Sequence, residues 1–454
     1  MNEIYQWGKI PTLALENIFS YLDRKSVLTA SSTCLHWRSV VFQKKFFTNF
    51  KFRLQIDDDK QCQFFLHCLV NLVSELTIVF DFLNVYHIDK IRRVLYRIVK
   101  CDQLRGIRFE TNSVGLPVPG EKYQDEDLVD VEKIFVEPLK MLLSRRRSSI
   151  KIFDLGAIEC LTYYAADFLK LLAKPQDLEE ITFASIKFNP SSSSMLALEH
   201  MFFEKCTSLQ ILSLDYDSVT DELLKTIQIL PLKKLLICIH EVDRAHPGIS
   251  ETAWAEFASK FNKIDLILTL IYAYEAVELL QLSILKRSMP VTHLRVLFCN
   301  FMNVDALDVM SMYYQTTLKS VQWVDSAYQE TDRNVMDLYM RSGQDPFVMM
   351  SWRCKNLEEI VIHGYVLDPH NLVGISRLCG KKLKKLEVSM LDSAPNANMM
   401  DSFIEEISSQ LGQKWRPLNS SNIHPALGFI HPTHTADDIQ NEYILDIIRR
   451  DLSN

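Results

Sequence analysis

A short apolar signature recurs along most of this chain and limits its fold more than any other feature. In "LQILSL", which begins at Leu209, apolar residues (Φ) stand in the order Φ-x-x-Φ-x-Φ. The same form starts at Val73, Leu104, Ile150, Leu178, Leu232, Phe261, Val291, Leu318, Leu357 and Leu383. The starts lie about 31 residues apart on average, and the longest gap follows Leu104. Alternation at the end of the signature has the period of a strand. What is left of each unit accommodates a turn and a helix. Neither piece can bury its apolar face alone, so the units must stack into a solenoid: one curved parallel sheet with helices on its convex side.

Cysteines follow the same period. Cys101, Cys206 and Cys354 stand three residues before a signature, and Cys379 stands four before Leu383. No two cysteines form a CxxC pair. Cysteines one whole repeat apart occupy equivalent slots and do not converge on one ion, so we expect reduced, buried thiols acting as small apolar fillers.

Residues that alternate with the apolar positions must point away from the core, onto the concave strand face. They include Arg108, Asp154, Ser213, Asp215, Asp265, Arg295, Gln322, His363 and Glu387, with Leu236, Ile267 and Leu297 making an apolar middle. Charge around apolar anchors suits a protein target. A nucleic acid would need a basic stripe, and the formal net charge is −7 with a pI near 6.0. We therefore expect no nucleic-acid or membrane partner. The most apolar span, from Leu266, is broken by Glu275 and Glu278. The opening "MNEIYQWGKIP" lacks a basic leader and an apolar run, so a secretory signal is not expected and the chain is placed in cytoplasm or nucleus.

The N-terminal stretch "IPTLALENIFSYLD" is of another kind. Leu15, Ile18, Phe19 and Leu22 fall at i, i+3, i+4 and i+7, an apolar stripe on one helix that starts near Pro11. Two more short helices follow, one with Val27 and Leu28, one with Cys34, Trp37 and Val41. Three short helices have too little interior to hide all these side chains, so part of the surface should meet a partner.

This stretch resembles the F-box, whose pattern is matched in order by Ile10-Pro11, Ile18-Phe19-Ser20-Tyr21-Leu22-Asp23, Val27-Leu28, Cys34 and Trp37-Arg38. Leu13 departs from it, standing where the family usually has Glu. "CTSLQILSLDYDSVTDELLKTI" and "CKNLEEIVI" resemble the cysteine-containing leucine-rich repeats that often follow an F-box. The resemblance implies an α/β leucine-rich-repeat solenoid behind a small all-α F-box. Domains are expected at 8–48 (F-box), 49–391 (repeats) and 392–454 (a C-terminal helical cap or tail). It also implies binding to a Skp-type adaptor and, through it, to the cullin and RING protein of a ubiquitin ligase. The adaptor face is expected to comprise Ile10, Pro11, Leu13, Leu15, Ile18, Phe19, Leu22, Val27, Leu28, Cys34 and Trp37. The chain would then be the substrate-recognition subunit, bringing a target protein near the charged enzyme without bond chemistry of its own. The alternative is a non-catalytic scaffold that binds the adaptor outside any ligase.

Catalytic and cofactor motifs are missing. "HEVDRAH" at His240 fails as a zinc helix because Arg244 stands where HExxH needs His. The glycines form neither a P-loop nor GxGxxG. His424, His431 and His434, near Asp437 and Asp438, read as a solvated Pro-rich loop. "SRRRSS" at Ser144 reads as a basic helix end, and the acidic run from Glu121 as a solvated insertion. We expect no enzyme activity, no cofactor and no metal. Beyond Met390, a helix is expected over Met399–Leu411 and a last amphipathic helix with Ile439, Tyr443, Ile444, Ile447 and Ile448. That last helix is expected to be the terminal cap a solenoid needs, the alternative being a fold-back over the concave face.

Overall fold

A computed structural model describes residues 7–453 apart from 55–58, 82–83, 112–129, 146–149, 174–176, 188–197, 244–245, 262, 327–343, 393–396, 420–421 and 429–435. Three short helices open it: α1 (Thr12–Ser20), α2 (Arg24–Ala30) and α3 (Leu35–Val41). Asp23 caps α2 by accepting from Ser26 N, and the Cys34 thiol caps α3 by accepting from Trp37 N.

The solenoid follows. Its strands are β1 (Asn49–Arg53), β2 (Glu75–Phe80), β3 (Gly106–Thr111), β4 (Ile152–Asp154), β5 (Glu180–Thr182) and β6 (Ile211–Asp215). They continue as β7 (Lys234–Ile239), β8 (Asp265–Ile271), β9 (Val291–Leu297), β10 (Ser320–Val324), β11 (Glu359–Leu367) and β12 (Lys385–Leu391). All twelve pair in sequence order in one sheet, each neighbour parallel. This is the α/β leucine-rich-repeat architecture that the signature implied.

Local chemistry marks where each repeat turns into its helix. Thr220, Ser250 and Asn303 accept from the backbone N–H three residues on, at the starts of Asp221–Ile227, Glu251–Lys260 and Val304–Tyr313. Asp345 and Asp368 do the same job before Pro346 and Pro369, where a missing N–H costs nothing. The signature residues make one continuous core with these helices; Leu209, Leu212, Ile107, Ile181 and Leu318 are all essentially inaccessible. Cys101, Cys206 and Cys354 lie buried in that core, as their spacing implied.

Two details differ from the sequence reading. A repeat precedes Val73: Phe47, Phe50 and Phe52 carry the signature through β1, and all three are buried. The β8 unit starts two residues later than Phe261 suggested, because its inward residues are Leu266, Leu268 and Leu270. A slip of two preserves the face of every side chain.

The C-terminus departs from the expected cap. The helix Ala397–Leu411 closes the solenoid, burying Ile407 and Leu411 against the last repeat. After it, Trp415 Nε1 donates to Leu386 O at 2.8 Å and Leu418 N donates to Val388 O at 2.8 Å. These bonds cover the free edge of β12. The last helix, Ala436–Ser453, is thereby released from capping and lies on the concave face instead.

Candidate functional site

Two surfaces carry the residues singled out above. In the helical N-terminus the apolar stripe divides. Leu15 and Phe19, one turn apart on α1, face inward, and Phe19 meets Trp37 edge-on with ring centroids 5.5 Å apart. Val27 is buried with them. These three belong to the bundle's own core, which corrects their placement on an adaptor face. Trp37 is half-buried and donates from Nε1 to Trp7 O at 3.0 Å, while His36 Nε2 lies 2.8 Å from Ile10 O. Ile10, Leu28 and Cys34 are likewise half-buried, and Pro11 is exposed at the N-cap of α1.

What the chain leaves uncovered is the other side of the stripe. Leu13, Ile18, Tyr21 and Leu22 are exposed, and so are Trp7 and Leu35. Ile18, Tyr21 and Leu22 are spaced i, i+3 and i+4, so they share one flank. Tyr21, Trp7 and Leu35 were not anticipated; the signal for each was an apolar residue beside a helix end with no internal partner in the pattern. With Leu13 in the first turn, α1 has no acid there to meet its N-terminal dipole.

The concave face is built from rows of side chains that run across the strands. One row is Thr77, Arg108, Asp154, Thr182, Ser213, Leu236 and Ile267. The next is Asp215, Cys238, Thr269, Arg295, Gln322, Val361 and Glu387. His363 stands one row higher, beside Val324. All ten residues proposed from sequence therefore share this face, Asp265 at its lower edge.

Their surroundings differ along it. Over the first strands the face is more polar, and the end of the C-terminal helix reaches it through Arg449, which donates from Nη2 to Thr111 O at 3.0 Å. Arg108 is part-exposed and ion-pairs with Glu180 at 2.6 Å and Glu75 at 3.5 Å. Asp154 accepts from Gly156 N at 2.7 Å and from Thr182 Oγ1. Burial raises its carboxyl to about 6 despite those bonds. Asp215 is buried and accepts from Ser185 N and Oγ at 2.9 and 2.6 Å.

From β7 to β11 the face is apolar and covered. Ile444, Leu445, Ile447 and Ile448 of the C-terminal helix form a second core with Leu236, Cys238, Ile267, Ile271, Leu297, Val324 and Val361. The anticipated apolar middle thus has an intramolecular partner. Arg295, wholly buried, donates from Nε to Asp451 Oδ2 at 2.8 Å and from Nη2 to Oδ1 at 3.1 Å. Burial favours a protonated Asp451, but Arg295 and Arg450 outweigh it and hold the carboxyl below its ordinary range. Lys234 Nζ donates to the carbonyls of Asp451 and Leu452 at 3.0 and 2.9 Å, satisfying the orphan end of the helix. Gln322 and His363 lie buried under the same segment, with Gln322 donating to Glu359 and His363 Nε2 3.0 Å from Glu387. Asp265 pairs with Lys319 at 2.6 Å and stays part-exposed, as does Glu387.

The remaining motifs are structural or lie outside the described residues. His240 is buried at the end of β7, its ring nitrogens 2.9 Å from Ser185 O and 3.2 Å from Ile271 O. His424 caps a short turn and packs on Tyr443. His431, His434, the side chains of Asp437 and Asp438, residues 121–129 of the acidic run and Arg146–Arg147 lie outside them; Asp130 at the end of that run accepts from Lys133 N at 2.9 Å, and Arg145 ends the helix Glu137–Arg145. Among the described residues no helix is long and apolar enough to cross a membrane.

Residues 7–49 match the F-box domain. Along 90% of its length the chain is similar to F-box only protein 33 of Homo sapiens and of Mus musculus, at 22% identity over 82% of each relative. Among solved structures it is similar to the Rad7 and Elc1 complex of yeast (11% identity, 87% of this chain and 90% of that one, TM-score 0.40). Another is the leucine-rich repeat-containing protein LegL7 from Legionella pneumophila (15% identity, 74% of this chain and 97% of that one, TM-score 0.34). The chain thus carries an F-box domain at residues 7–49, followed by a leucine-rich-repeat solenoid.

Proposed function

We propose that this protein is the substrate-recognition subunit of an SCF-type cullin–RING ubiquitin ligase. Its F-box holds a Skp-type adaptor, and its solenoid holds a target protein within reach of the ubiquitin-charged enzyme. The observation that carries this reading is the divided stripe of α1. Leu15 and Phe19 complete the domain's own core, while Ile18, Tyr21 and Leu22 remain on an uncovered apolar flank that a partner's surface can bury. Domain limits at 8–48, 49–391 and 392–454 belong to the same proposal. Target contacts fall to the concave face, whose accessible positions include Arg108 and the edge residues Asp265 and Glu387. The contribution is positional, an increase in effective concentration with no group on this chain making or breaking a bond. Expressing the full chain with the adaptor, cullin and RING protein tests it. Recovery of one complex holding all four supports the reading. Recovery of the adaptor without cullin assigns the chain to a scaffold outside the ligase, and recovery of neither overturns both.

A further inference from the structure

The C-terminal helix rests on a surface whose chemistry does not fully suit it. Along β1–β4 the concave face presents Lys51, Thr77, Arg108 and Asp154, where a protein surface exposed to water is ordinarily polar. Along β7–β11 it presents an apolar floor with one buried guanidinium, that of Arg295. Such a floor needs an occupant. The resident supplies Ile444, Leu445, Ile447 and Ile448 to the floor and Asp451 to Arg295, and it turns Glu442 and Asp446 to water.

The fit is incomplete at the polar positions. Thr269 Oγ1, Gln322 Oε1 and His363 Nδ1 have no hydrogen-bond partner among the described residues, and all three side chains are essentially inaccessible. All three belong to the concave face, on β8, β10 and β11, within the covered stretch. A helix that evolved only to fill this groove permanently would leave such atoms apolar or paired. The backbone beneath the start of the helix is also under tension. Tyr272 and Phe298 directly follow β8 and β9 with φ of +51° and +56°, a left-handed conformation that bulky residues avoid. Both hold the helix, Tyr272 Oη donating to Asn441 Oδ1 at 3.0 Å and Phe298 packing on Tyr443.

We propose that the covered groove is a docking site for an amphipathic helix with an acidic residue one turn beyond its apolar cluster, and that the protein's own C-terminal helix holds it as a pseudo-ligand which a target helix displaces. The proposal rests on the substrate-receptor reading and specifies what kind of target that receptor takes: a helix with apolar residues spaced as Ile444, Leu445, Ile447 and Ile448, and a carboxylate at the position of Asp451. Arg295 selects the acid, and the three unpartnered atoms offer hydrogen bonds that the resident leaves unused.

The test uses the full chain and a synthetic peptide of residues 436–454 as the probe. In hydrogen exchange, amides of 441–453 are expected to exchange at least tenfold faster than those of β7–β9. A full-length Ile444→Glu/Ile448→Glu variant, its own helix unseated, is expected to keep adaptor capture and bind the peptide at least tenfold more tightly than wild type. Binding should be lost with an Asp451→Arg peptide and regained when Arg295→Glu is added to the variant. Exchange of the helix only together with β7–β9, unfolding of the variant, or no difference in peptide binding overturns the proposal, and marks the helix as fixed core. Loss of adaptor capture with peptide binding intact contradicts the receptor reading alone.

Discussion

Arg295 on β9 and Asp451 in the last helical turn meet across 156 residues of sequence, with side chains only 1% and 5% exposed. Removing one partner leaves the other buried with only a longer ion pair, Arg295 to Glu359 at 3.5 Å or Asp451 to Arg450 at 3.2 Å, at a cost of up to roughly 3–5 kcal/mol. Asp451→Asn or Arg295→Met should lower stability by that order in urea unfolding. The paired replacement Arg295→Met/Asp451→Leu should recover most of the loss, since a packed apolar pair avoids desolvating two ions. A double variant as unstable as the sum of the singles would show that the two residues do not act on each other.

Gly364 occupies the bulge of β11 at φ +82°, and a Cβ there would lie 2.5 Å from Asp325 O. Gly248 has a similar φ of +74° but open space around the Cβ position. Both pay for a left-handed alanine, about 1–2 kcal/mol. Only Gly364→Ala adds a clash with backbone, so it should cost clearly more than Gly248→Ala in the same thermal unfolding assay. Equal losses would contradict the close approach of the two strands.

The contribution of Asp215 to stability should fall as pH rises above 5, opposite in sign to that of the buried His240, whose lowered pKa favours the fold as pH rises. Burial raises the Asp215 carboxyl from its ordinary 3.8 to about 7, against the pull of Lys187 and the Ser185 hydrogen bonds. A carboxyl raised on folding stabilises fully below 3.8 and loses that contribution as pH climbs through its folded value. Between pH 5.5 and 8 the loss is about 2 kcal/mol. The stability difference between wild type and Asp215→Asn should shift by that amount over this range, whatever the other titrating groups contribute. An unchanged slope in the variant would mean that Asp215 stays ionised across the range.

The repeat was legible because each unit restates one constraint, so an error in one is corrected by its neighbours. Where a single residue broke the pattern, the reading slipped. Lys263 occupies the first apolar slot of the β8 unit, which moved its apparent start to Phe261. The β1 unit went unread because its signature of Phe47, Phe50 and Phe52 directly adjoins the helical N-terminus. For α1, spacing identified an apolar stripe but not which flank faces inward; that depends on Trp37 and Phe46, which pack on Phe19 from elsewhere in the chain. The last helix shows the same limit. Its isoleucines announce burial, but the surface that buries them lies on β7–β11, and no local pattern names a partner so far away.

The receptor account turns on which flank of α1 is the contact, and calorimetric titration of the purified chain with a Skp-type adaptor measures that most directly. Wild type should bind, and Ile18→Asp/Leu22→Asp should bind at least a hundredfold more weakly while its melting temperature stays within a few degrees. Leu15→Ala and Phe19→Ala should instead lower stability by about 3–4 kcal/mol, as truncations in a packed core do. Wild-type affinity in the Ile18→Asp/Leu22→Asp chain would contradict the account.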